Sequence, residues 1–112
     1  MLHISSRVPK TVISLLLKNG TRLHAGIFQC MVKHNGKEHS RCAVVVGTRI
    51  AKHAVERNRI KRMVKGSFQS IETTLHPSAD LVILVKQNCA TTPYQTIRAQ
   101  LQELVNKINA MT

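Results

Sequence analysis

Acids are scarce in this chain: Glu38, Glu56, Glu72, Asp80 and Glu103 stand against 17 lysines and arginines. A nuclease centre built on two metal-holding carboxylates needs at least two acids that converge, and these are scattered along the sequence. Aromatics are scarcer still, limited to Phe28, Phe68 and Tyr94, so few rings exist on which a nucleobase can stack. The cysteines, Cys30, Cys42 and Cys89, are odd in number and form no C-x-x-C pair, against a disulfide framework or a zinc ribbon. They sit in apolar runs as small, reduced core residues, as expected of a cytoplasmic protein. No apolar run approaches the roughly 20 residues of a membrane span, and no export-signal pattern opens the chain. His3, His24, His34, His39, His53 and His76 show no H-E-x-x-H or paired spacing. A glycine-rich phosphate loop and a Ser or Cys nucleophile motif are missing too. These absences argue against a metal centre, a membrane protein and a polypeptide catalytic on its own.

What the chain has is positive charge, and it is unevenly placed. Residues 1–65 carry 14 of the 17 lysines and arginines against Glu38 and Glu56, whereas the charges of residues 66–112 cancel. Solubilising charge would be spread evenly; a surface for nucleic acid would be segregated in this way. The densest stretch is Ala54-Val55-Glu56-Arg57-Asn58-Arg59-Ile60-Lys61-Arg62-Met63-Val64-Lys65. Ile60, Met63 and Val64, continued by Phe68, Ile71 and Leu75, keep a helical apolar spacing and predict a helix from about Ala54 to Thr74. Arg57, Lys61 and Lys65 recur one turn apart, with Asn58 and Arg62 beside them. Like charges so stacked repel, and a polyanion along the stripe would remove the penalty. The stripe reads as a phosphate-backbone contact. Glu56 is expected to pair with Arg59 or Arg62.

At 112 residues the chain makes one domain, without linkers or repeats, of α+β class. Ser5 or Ser6 is expected to cap a first helix with Pro9 near its start and a stop at Asn19-Gly20. A short strand is expected at Thr21 to His24 and a firmer one at Ile27 to Lys33. Its faces are Phe28, Cys30 and Val32 on one side and Ile27, Gln29 and Met31 on the other. Asn35-Gly36 signals a hairpin leading to a strand from about Arg41 to Gly47. Leu81 to Val85 is apolar on both faces and predicts a buried central strand. Thr92 and Pro93 open a last helix whose inner side is Ile97, Leu101, Leu104, Val105 and Ile108. Gly66, inside the basic helix, costs roughly 1 kcal/mol relative to alanine.

Residues Ala54 to Arg62 resemble the signature of the bacterial ribonuclease P protein subunit. That pattern is Ala, two variable residues, then Arg-Asn-Arg-x-Lys-Arg, on a helix after the third strand. Val46-Gly47-Thr48-Arg49 is similar to the strand end and basic turn before it, and the element order extends the likeness over nearly the whole chain. The resemblance implies an αβββαβα order with a four-stranded sheet, like the second domain of ribosomal protein S5. It also implies a left-handed crossover through the basic helix, where spacing alone gives a right-handed one. It further implies a partner, ribonuclease P RNA, which carries the chemistry with magnesium ions and removes the 5′ leader of precursor tRNA. The protein itself would have no catalytic residue, no metal of its own and no obligatory protein partner.

Carried over residue by residue, the RNA-contacting set is Arg57, Asn58, Arg59, Lys61 and Arg62. Lys65 stands where arginine is usual, which keeps the charge but loses the bidentate geometry. Arg49 and Lys52 extend the basic surface. The resemblance places a leader-binding cleft at Ile13, Leu17, Gln29 and Met31, between the first helix and the second strand. The family commonly has phenylalanine at positions matching Ile13 and Leu17 and often an aromatic near Met31, so stacking is weakened here. Phe28 goes by parity with the core. Gly66 and Gln69 replace an acidic and a basic residue usual in the family. A ribosomal or other structural RNA-binding protein shares the charge and the fold but does not require the motif. A helix-turn-helix DNA binder is opposed by the strand at Leu81 to Val85.

Overall fold

Apolar alternation in the middle of the chain resolves into a mixed sheet in a computed structural model. It describes the backbone of residues 2–4 and 8–111 and the side chains of residues 8–111. The elements are β1 (Leu2–Ile4), α1 (Lys10–Asn19), β2 (Thr21–Ala25), β3 (Phe28–His34), β4 (Arg41–Val45), α2 (Ala54–Gln69), a 3-10 turn (Glu72–Thr74), β5 (Ala79–Val85) and α3 (Tyr94–Asn109). From α1 onward this is the expected αβββαβα order, with four strands. The short β1 adds a fifth at the edge, giving β1-β4-β5-β3-β2. β5 is central, antiparallel to β3 and parallel to β4. The expected caps Ser5 and Ser6 lie outside the described residues; Pro9 stands at the N-cap of α1 without a side-chain cap bond.

Two expectations fail. Asn35-Gly36 is not a hairpin turn, because β5 lies between β3 and β4. Gly36 does take a left-handed backbone, φ 66°. Asn35 is committed instead to the loop: its Oδ1 accepts from Lys37 N at 2.8 Å and its Nδ2 donates to His39 O at 3.2 Å and Asp80 Oδ1 at 2.9 Å. The hairpin in this region is β2–β3, turning at Gly26 with φ 56°. There α3 holds the turn: Ile27 N donates to Gln100 Oε1 at 3.0 Å and Lys107 Nζ to His24 O at 2.6 Å. Secondly, α2 stops at Gln69 rather than Thr74. The Ser70 hydroxyl donates back to Ser67 O at 2.7 Å, and Ile71 N bonds Phe68 O, so the ladder shifts to a tighter turn. Ile71 and Leu75 still reach the core.

The two faces of the sheet are covered differently. Phe28, Cys30, Val32, Cys42, Val44, Leu81, Ile83 and Val85 share one face, against α2 and α3 through Ile60, Val64, Phe68, Ile97, Leu101 and Leu104. Phe28 is in this core, as its parity requires, and all three cysteines are buried, none of them in a disulfide among the described residues. Burial pushes the Cys30 thiol up to about 11, so it stays protonated at neutral pH. The other face carries Met31, Ala43 and Val82, roofed by Val8, Ile13 and Leu16 at α1. Gly20 lets α1 end close to β3: a Cβ there would sit 2.6 Å from Leu16 O and 3.2 Å from Val32 N. At one end of this face Asp80 takes Arg41 in a bidentate pair, Nε 2.8 Å and Nη2 2.7 Å.

Candidate nucleic-acid interface

On α2 the apolar residues Ile60, Val64, Phe68 and the basic residues Arg57, Lys61, Lys65 both repeat every four residues. The two stripes therefore run side by side, and Lys61 falls nearly above Phe68 on the helix wheel. That geometry corrects the sequence reading. Lys61 is only 2% exposed, its stem packed in the domain. Burial first, then the neighbouring Arg57 charge, hold its ammonium below the ordinary lysine range. Arg57 and Lys65 are half-buried. The solvent face is instead Asn58, Arg59 and Arg62, with Arg49 and Lys52 exposed in the loop before the helix.

Arg57 Nη1 donates to Ala51 O at 3.0 Å and to Lys52 O at 2.9 Å, tying that loop to the helix. Glu56 does not pair with Arg59 or Arg62; its Oε1 accepts from Asn88 Nδ2 at 2.7 Å. This bond draws the loop after β5, with exposed Lys86, to the start of α2. Among the described residues Arg41–Asp80 is the one salt bridge, so the α2 cations carry no acid partner. Nor do the described residues hold a group of three or more His, Cys, Asp or Glu able to bind a metal.

The second predicted site lies on the opposite face of the sheet. α1 lies across Met31, Val82 and Ala43, burying Ile13 and Met31 to 5% exposure each. These two are roof and floor of a packed layer rather than open cleft walls, which corrects their expected role. Val12, Leu15 and Asn19 on one flank of α1 line a cavity with Lys33, His34 and Asp80. By helical geometry Ile13 and Leu17 occupy the other flank, towards the neighbouring row of the same sheet face. That row is Gln29, Leu84 and Val45, in register and half-buried. Leu17 is 47% exposed above it. Leu17 and Gln29 are thus brought to the same side of the sheet as Leu84 and Val45, a row that sequence reasoning missed because strand order sets it. Arg22 and His24, exposed on β2 beside Met31 and Gln29, edge it with polar groups.

The fold has counterparts among known proteins. The family model described as Ribonuclease P matches residues 9–109. The chain belongs to the ribonuclease P family. A ribonuclease P protein component from a Cyanothece species is 32% identical over 73 residues, covering 65% of this chain and 56% of that protein. The matched stretch thus spans little more than half of that relative. Among solved structures, the RNase P protein from Thermotoga maritima superposes with TM-score 0.77 at 25% identity, covering 86% of this chain and 90% of that one. A Staphylococcus aureus RNase P protein, described as a mutant with defective mRNA degradation activity, gives 0.76 at 20% identity, covering 92% and 87%. Both likenesses extend over most of this chain.

Proposed function

We propose that this chain is the RNA-binding protein subunit of a bacterial ribonuclease P, assisting a catalytic RNA in removing the 5′ leader of precursor tRNA. The observation that carries the reading is the Ala54 to Arg62 motif, set on α2 so that Arg59 and Arg62 face solvent beside Arg49 and Lys52. Arginine on an open helix face grips phosphate bidentately, and the surrounding lysines add point charges. The RNA subunit docks on this face, and the leader lies in the groove of Leu17, Gln29, Leu84 and Val45. The two surfaces occupy opposite sides of one sheet, so the domain bridges its RNA partner and the substrate's single strand. Magnesium ions held by the RNA supply the hydrolytic chemistry; the protein's part is to bind, orient and neutralise charge. Buried cysteines outside any disulfide among the described residues suit a cytoplasmic setting.

Binding measurements with the RNA subunit test this. Precursor tRNA should bind the complex more tightly than mature tRNA, and the difference should depend on the groove. Leu17→Phe offers a ring to a leader base and should strengthen precursor binding by up to about 1–2 kcal/mol, leaving mature tRNA alone. Because Leu17 is exposed, the melting temperature should hold. A leader-independent change, or none, would remove the groove from the proposal. Incubating the chain alone with mRNA and with precursor tRNA checks for RNA-free cleavage, since an mRNA degradation activity is named for the Staphylococcus aureus protein.

A further inference from the structure

Within the motif, one arginine is turned inward. Arg57 is half-buried one turn into α2, and its Nη1 reaches back past the helix start to the carbonyls of Ala51 and Lys52. These belong to a loop already folded on itself, since Ile50 N and Ala51 N both bond Gly47 O at 3.1 and 3.2 Å. Ala51 is only 2% exposed, so the loop is anchored at that point. The loop's two cations, Arg49 and Lys52, are exposed. His53, at the N-cap, makes no side-chain cap bond, so no cap side chain fixes the junction. A cation in the first turns of a helix opposes the helix dipole, and Lys61 one turn on repels it further. The two carbonyls compensate.

We infer that Arg57 is a positioning residue: it locks the Gly47–His53 loop to α2 so that Arg49 and Lys52 stand in fixed register with Arg59 and Arg62. This rests on the proposed RNA-binding role of that surface. The motif then divides its labour. Arg59 and Arg62 meet phosphate, and Arg57 sets the spacing between helix and loop cations. Lysine is a poor substitute, because it keeps the charge but reaches less far and has no planar fork.

The test measures affinity for a bacterial ribonuclease P RNA across a salt series, for the wild type, Arg57→Lys, Lys52→Ala and the double variant. Arg57→Lys should bind about tenfold more weakly, the scale of one charge-assisted hydrogen bond, with an unchanged salt slope. Lys52→Ala should cost clearly less in the Arg57→Lys background than in the wild type, because the loop is already displaced. Additive costs, or wild-type affinity in Arg57→Lys, would overturn the inference. A second arm needs no variant. In the free protein, NMR should find the Arg57 Nη1 protons exchanging slowly, unlike those of Arg62; equal exchange of the two would also overturn it. Absence of any binding by the wild type would instead strike the proposed function, leaving the NMR arm to decide the role of Arg57.

Discussion

Replacing Asp80 with alanine should destabilise the domain by about 2–4 kcal/mol, a large loss for a polar side chain on the sheet. Asp80 accepts two bonds from Arg41 and one from Asn35, and its side chain is 9% exposed against 22% for Arg41. Removing it strands a guanidinium that water reaches only in part, and frees the Asn35 loop that crosses from β3 towards β4. Partial exposure of Arg41 keeps the figure below that of a sealed pair. The same group makes stability depend on pH. Burial alone would raise the Asp80 pKa; the bonds from Arg41 and Asn35 and the charges of Arg41 and Lys37 outweigh it and hold the carboxyl below its ordinary value. Its contribution is therefore complete above the unfolded carboxylate pKa, about 3.9, and is lost as pH falls through the folded value. Thermal melts should show a steeper acid loss in the wild type than in Asp80→Asn. Equal acid slopes would remove Asp80 as the cause.

The Arg59→Ala, Arg62→Ala double variant should bind ribonuclease P RNA roughly a hundredfold more weakly near physiological salt, while keeping its fold. Both side chains are exposed, and alanine suits a helix, so stability should change by less than about 0.5 kcal/mol per site. Each arginine removed leaves one phosphate to its own counterions, so the log–log salt slope should become shallower by about two. Lys61→Ala is the informative contrast. With its stem buried, it should alter the melting temperature first. Salt-series binding and circular dichroism on the variants decide the matter. If Arg59 and Arg62 can be removed without changing the slope, the α2 solvent face is not the RNA contact.

Local pattern carried much of this architecture. α3 was legible because Ile97, Leu101, Leu104, Val105 and Ile108 fall on one side of a well-opened helix. β5 was legible because only a strand covered on both faces is apolar throughout. Strand order was not, since pairing between distant segments leaves no local trace. The Asn35-Gly36 signal was real as backbone geometry, with Gly36 left-handed, yet β5 inserts where a hairpin partner would sit. The three residues of β1 are too few to show alternation. The basic stripe failed in a more specific way: on α2 it repeats with the same period as the core. Hydropathy told the core stripe from the basic one, but spacing alone could not tell how far the basic stripe turned towards water, and Lys61 lies on the buried border. Similarly, Ile13 and Leu17 share a flank of α1, but only packing on the sheet separates the buried one from the open one.

Cleavage of precursor tRNA at low magnesium is the most direct measurement. Ribonuclease P RNA, precursor tRNA and the purified chain are combined at a magnesium concentration where the RNA alone is nearly inactive. The expected result is restored 5′ processing that needs both components, with the protein alone leaving the substrate intact and the Arg59, Arg62 double variant restoring little. A chain that binds the RNA yet leaves cleavage at the level of the RNA alone would contradict the assisting role. Cleavage by the protein without RNA, surviving repurification and disappearing on Glu56→Gln, would contradict it equally.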